Sequence, residues 1–167
     1  RTDEEVLVTE ENVTKIGMPE INFLKSIAAT NPRRRVRVCA HHNNEDNLHE
    51  MILVLMSGIY VQPHKHTGKT ESFHIIEGEM VVILFDDEGV PIESIQMGDF
   101  KSGKVFYYRL ETETFHSIIP LSETVVFHET TNGPFKKEFT QYAQWAPDDE
   151  SDPQKQKLFV EKLNQFC

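Results

Sequence analysis

Gly58-Ile59-Tyr60-Val61-Gln62-Pro63-His64-Lys65-His66-Thr67-Gly68-Lys69-Thr70-Glu71, closing seven residues later at Gly78, decides how this chain is read. His64 and His66 stand two apart, and Glu71 follows five positions after the second. Alternate side chains of a strand share a face, so the two imidazoles point the same way. A loop carrying Gly68 folds the chain back and brings Glu71 beside them on the next strand. Two imidazoles and a carboxylate converging from adjacent strands form a facial metal site with open positions. A pair of exposed loop histidines beside a solvated glutamate would account for neither the strand parity nor the framing glycines.

The flanking sequence is a series of short strands and turns. Met51 to Met56 is an apolar run of strand length leading into Gly58. Val36 and Val38 alternate with Arg35 and Arg37 as a half-exposed strand. Ser72 to Ile76 and Met80 to Phe85 are expected to pair as a hairpin around Glu77-Gly78. Asp86-Asp87-Glu88-Gly89 is a turn signal, and further strands are expected over Pro91 to Ile95, Val105 to Leu110, Phe115 to Ile119 and Thr124 to Glu129. Closely spaced short strands argue for a barrel or a sandwich. Pro19 to Ala29 reads as a short helix stopped by Asn31-Pro32, and Gln154 to Phe166 as a terminal helix with Phe159, Leu163 and Phe166 on one stripe. Residues 1–18 read as an acidic extension and residues 148–167 as an acidic linker and helix, leaving 19–147 for a single domain without internal repeat.

Composition narrows the partners. The length of 167 residues suits one domain with a real core. A formal net charge of -10 repels phosphate backbones, so nucleic acid is not an expected partner. No apolar run is long enough to span a bilayer, and no signal-peptide pattern opens the chain. Cys39 and Cys167 suggest no disulfide framework, and a reducing cytoplasm is the expected setting.

The pattern G-x5-H-x-H-x4-E-x6-G, with all five positions filled, resembles the first signature motif of the cupins. That resemblance implies an all-β single-domain cupin, a jelly-roll barrel or double-stranded β-helix, here with a short N-terminal and a C-terminal helix. It also implies one divalent metal ion, with iron, manganese, zinc and nickel not distinguished, and a fourth ligand from a second motif. His116, in Thr114-Phe115-His116-Ser117, is the best placed. The usual Pro-x-Gly turn before that histidine is replaced by Glu111-Thr112-Glu113. Parity then sets Gln62 and Tyr60 inward with His64 and His66, unless Pro63 introduces a bulge. It sets Phe73 and Ile75 inward with Glu71, and His74 outward.

A longer series is similar to the WbuC-type cupin-fold metalloproteins: Pro32-Arg33-Arg34-Arg35, His41-His42, the metal motif, Val126-Phe127-His128-Glu129, Gly133-Pro134-Phe135 and Trp145-Ala146-Pro147. Members of that family occur in bacterial O-antigen and polysaccharide gene clusters. The resemblance gives a setting rather than a substrate; the first reading of the residues is metal-dependent chemistry on a sugar or other small polar molecule, of isomerase or epimerase type. His41, His42, Tyr60 and Glu129 are the candidate proton carriers, and Gln62, Phe73 and Arg37 candidate pocket residues. For the histidines an exposed polar turn is the competing reading; for Arg33, Arg34, Arg35 and Arg37 it is the guarding of an edge strand. A non-haem iron dioxygenase and a non-catalytic ligand-binding module stand as alternatives. A homodimer is expected by analogy with other cupins.

Overall fold

The structure is a computed structural model and describes residues 5–166. Its strands are β1 (Val6–Val8), β2 (Arg35–Cys39), β3 (Leu48–Met56), β4 (His64–His66), β5 (Glu71–Glu77), β6 (Glu79–Phe85), β7 (Pro91–Gly98), β8 (Tyr107–Leu110), β9 (Phe115–Pro120), β10 (Thr124–Asn132) and β11 (Thr140–Tyr142). Two helices, α1 (Met18–Thr30) and α2 (Pro153–Leu163), flank the barrel. One sheet runs β1-β2-β3-β10-β5-β8 and the other β11-β4-β9-β6-β7. The sheets close face to face over Leu55, Phe73, Ile75, Met80, Val82, Ile118 and Phe127, which are all buried.

The expected hairpin at Gly78 does not form. β5 pairs with β10 and β8, whereas β6 pairs with β7 and β9, so the chain crosses from one sheet to the other between them. Gly78 makes the crossing possible. Its φ is +83°, and a Cβ there would lie 2.4 Å from the Thr124 carbonyl oxygen. A glycine adopts that backbone without a steric penalty. The same alternation recurs from β8 to β9 and from β9 to β10, which is the jelly-roll winding.

Both sides of β6 and β9 are covered, which is why these strands read as apolar runs rather than alternations. Their inner side faces the barrel. Their outer side, with Val81, Ile83, Phe85, Phe115 and Ile119, packs under Ala143 and α2 through Phe159, Val160 and Leu163. The apolar stripe of α2 is therefore occupied by its own barrel. Phe166 is not part of it: the chain tightens to a 3-10 turn over Asn164–Phe166 and leaves that ring 49% exposed.

On the other sheet α1 places Ile21, Leu24 and Ala28 against Val36, Val54 and Val126. Glu20 accepts a hydrogen bond from the Gly17 amide at the start of the helix, and Asn31 ends it before Pro32. The N-terminal segment is more ordered than an extension: β1 adds in parallel to β2. β2 is consequently not an edge, and its arginines are engaged by acidic flanks. Arg33 and Arg35 reach Glu5 at 3.2 and 3.0 Å, and Arg33 also meets Asp149. Among the described residues no helix is long and apolar enough to cross a membrane.

Candidate metal centre

His64 and His66 share β4, and His64 stands directly opposite His116 of β9. One ring nitrogen from each of the three lies within 4.8 Å of the others. Glu71 enters from the facing sheet at the start of β5. Its Oε1 lies 2.9 Å from His116 Nε2 and its Oε2 3.5 Å from His66 Nε2. The four residues that the motif reading named are thus brought together from three strands and both sheets.

The back of each ring is held. His64 Nδ1 meets the Gln62 carbonyl at 2.9 Å, His116 Nδ1 the Thr114 carbonyl at 3.0 Å, and His66 Nδ1 the Thr140 hydroxyl at 3.1 Å. A carbonyl only accepts, so Nδ1 of His64 and of His116 carries the proton and Nε2 presents its lone pair. The replaced second-motif turn is rebuilt locally. Thr114 donates its amide to the Thr112 carbonyl, the two threonine hydroxyls meet at 2.8 Å, and Glu113 accepts from the Gly68 amide.

Charge follows the geometry. Burial, then the neighbouring His116 and His66, pulls the His64 pKa down to about 3, so its ring is neutral. Burial opposes the ionised form of Glu71, but the charges of His116 and His66 prevail and hold its carboxyl below the usual range. Burial lowers His116, and the Glu71 carboxylate more than reverses this. His116 Nε2 and Glu71 Oε1 are nonetheless both buried without a hydrogen-bonded partner, because their approach lacks hydrogen-bond alignment. A cation entering here would displace the proton that Glu71 favours on His116, and three inward Nε2 atoms with an anionic carboxylate then form the donor set of a borderline divalent cation. The residues present fit such an ion.

Other predicted residues divide into two groups. Glu129 lies on β10 between Met51 and Phe73, in the row next to Glu71 on the inward face. Burial, then the charge of Glu71, raises its pKa to about 7, against the pull of Arg37, His116 and Lys69. Phe73 is buried below the site, its ring centroid 5.1 Å from that of Phe127 and 5.4 Å from that of Tyr108. Arg37 is exposed and stands opposite Leu53, near enough for its charge to act on Glu129. His41 is half-buried and stacked on His49 at 4.0 Å; burial and then His49 lower its pKa.

Tyr60, Gln62 and His42 do not line the site. Tyr60 donates its hydroxyl to the Pro147 carbonyl and packs its ring edge-on against Phe159, so it secures α2 instead of lining the pocket. The residues before His64 are not strand, and parity does not carry back through Pro63. Gln62 donates its side-chain amide to the Ala143 carbonyl and contributes to the site only through its main chain. His42 sits in an exposed turn, its Nε2 3.3 Å from the Glu11 carbonyl. His74 faces outward against Phe106, as parity required.

Sequence reasoning missed Thr140, because the three residues of β11 are too short for a periodic signal. It also missed Tyr108, the phenol that does lie in the barrel interior. Its alternation with Tyr107 and Arg109 could have raised it, but only pairing with β5 shows which side is inward.

Two sheets wound as a jelly roll, with a cluster of three histidines on adjacent strands of one sheet, define a cupin fold with a candidate metal centre. Residues 18–97 match the model of a family described as a domain of unknown function, DUF6016. No curated protein matches the chain by sequence. Protein SO0799 from Shewanella oneidensis is similar in structure, with a TM-score of 0.52 and 11% identity over 64% of this chain and 72% of that one. CapF, solved with the inhibitor 3-isopropenyl-tropolone, has a TM-score of 0.53 and 17% identity over 68% of this chain and 32% of its own. An oxalate decarboxylase variant from Bacillus subtilis is similar at a TM-score of 0.47 and 23% identity, over 58% of this chain. The chain spans 24% of that enzyme's length. These likenesses concern the fold.

Proposed function

We propose that this cupin holds one divalent cation through His64, His66, His116 and Glu71 and acts on a small polar molecule, a sugar or a sugar derivative. The reaction would move a proton next to a carbonyl, as in isomerisation or epimerisation. A divalent ion in such a site supplies Lewis-acid polarisation of a carbonyl or hydroxyl oxygen. Glu129 takes and returns the proton. The observation that carries this reading is the pairing of two inward carboxyl groups in different states. Glu71 is held ionised among the histidines, whereas burial and then the Glu71 charge raise Glu129 to about 7 in the metal-free chain; a cation beside Glu71 lowers it from there and leaves it ionised near neutrality as a base. Phe73, Phe127 and Ile75 are buried in the barrel core beneath the site.

The test is solvent exchange. Protein loaded with manganese or zinc, incubated with a panel of aldoses and ketoses in heavy water, should place deuterium on the carbon beside the carbonyl. Glu129→Gln should slow this by about 100-fold or more. Protein that binds one metal per chain yet exchanges no proton in any sugar would sink the proposal. Oxygen uptake by the iron-loaded protein would redirect it to the dioxygenase alternative.

A further inference from the structure

One buried polar group near the metal centre is used by nothing described so far. Tyr108 of β8 is 7% exposed, and its hydroxyl has no hydrogen-bond partner. A buried hydroxyl without a partner is destabilising, and its persistence calls for an explanation. The β5–β8 register supplies one. Tyr108 stands opposite Phe73, and Glu71 opposite Leu110. Residues two apart on a strand share a face, so Tyr108 and Glu71 are diagonal neighbours on the inward side, about 7–8 Å apart at their bases. A phenol is long enough to close that gap.

Glu71 Oε1 is a buried acceptor without a donor, and Tyr108 is a buried donor without an acceptor. Burial, then the charge of Glu71, then that of Glu93, raises the phenol's pKa, so it keeps its proton and can only donate to a carboxylate. Glu71 has the larger influence of the two carboxylates. Glu93 of β7 stands opposite Leu84 and is solvent-exposed.

We propose that Tyr108 is a positioning residue for Glu71, its hydroxyl donating to the Glu71 carboxylate when that carboxylate turns from His116 to a cation held by the three histidines. The inference rests on the metal reading of the site. It assigns to this chain an outer partner for the carboxylate ligand, matching those of the imidazoles: the Gln62 and Thr114 carbonyls and the Thr140 hydroxyl.

Cobalt(II) is the probe, because its visible spectrum reports coordination and its affinity is read by competition with a chelator. Tyr108→Phe should weaken cobalt binding about tenfold or more and alter the spectrum of the loaded protein. The melting temperature of its metal-free form should not fall, since the change removes an unpartnered hydroxyl. Glu93→Gln should bind cobalt as the unaltered chain does. Unchanged affinity in Tyr108→Phe overturns the inference. So does a loss that comes with a lower metal-free melting temperature, or one that Glu93→Gln reproduces. An unaltered chain that takes no cobalt overturns the metal reading and this inference together, whereas a cobalt-binding chain indifferent to Tyr108→Phe overturns this one alone.

Discussion

Glu129 destabilises the metal-free fold at neutral and higher pH, and the size of the effect follows from its surroundings. Its folded pKa is raised from 4.5 to about 7, so the native state holds the proton more tightly than the unfolded chain does. Stability contributed by the protonated form is therefore lost as pH rises from about 4.5 to about 7, and is level above that. One pKa unit corresponds to about 1.4 kcal/mol, which puts the ceiling near 3.5 kcal/mol. Glu129 keeps some contact with solvent, and about 2 kcal/mol is the better expectation. Glu129→Gln replaces the carboxyl by a neutral group of the same shape. In chelator-treated protein at pH 8 its melting temperature should exceed that of the unaltered chain by roughly 5 °C, and at pH 4.5 the two should coincide. Calorimetric scans across that range measure the difference. A gap that does not change with pH, or an unaltered chain that is the more stable at pH 8, would refute the idea that Glu129 is forced to ionise in an unfavourable place. Loading a divalent cation should narrow the gap, since positive charge beside Glu71 removes part of what raises the pKa.

Other consequences are open to direct measurement. His64→Ala should abolish stoichiometric metal binding, measured by elemental analysis after purification and reloading; a variant that still holds one ion per chain would show the ligand set to be wrong. Thr140→Val deprives His66 Nδ1 of its partner and should weaken metal affinity about tenfold while leaving the far-ultraviolet spectrum unchanged. Leu163→Ala leaves a cavity between α2 and the outer side of β6 and β9, and should cost about 2–4 kcal/mol in denaturant melts without altering metal content.

The legible part of the site was the part encoded locally. His64, His66 and Glu71 are separated by one short loop, so spacing and strand parity suffice to bring them together. The same parity turns His74 outward, where it is exposed. Tyr60 shows where that logic stops. Parity does not run backward from His64 through Pro63, because no strand lies there, and the phenol turns to α2. His42 and Gln62 failed in a related way: each lies near the site in sequence, while the hydrogen bonds that orient them come from distant segments, Glu11 and Ala143.

By itself the sequence determined the longer strand segments, the two helices, the turn glycines and the convergence of His64, His66 and Glu71, because each depends on residues within a few positions of one another. Only the tertiary structure decided which sheet each strand joins. It turned the expected hairpin at Gly78 into a crossing between sheets, set His116 against His64, and placed Tyr108 beside Glu71 in place of Tyr60. The physical reason is that alternation says which side chains share a face, but not which face is inward. That choice is made by pairing between strands far apart in the chain and by burial of both sides of β6 and β9.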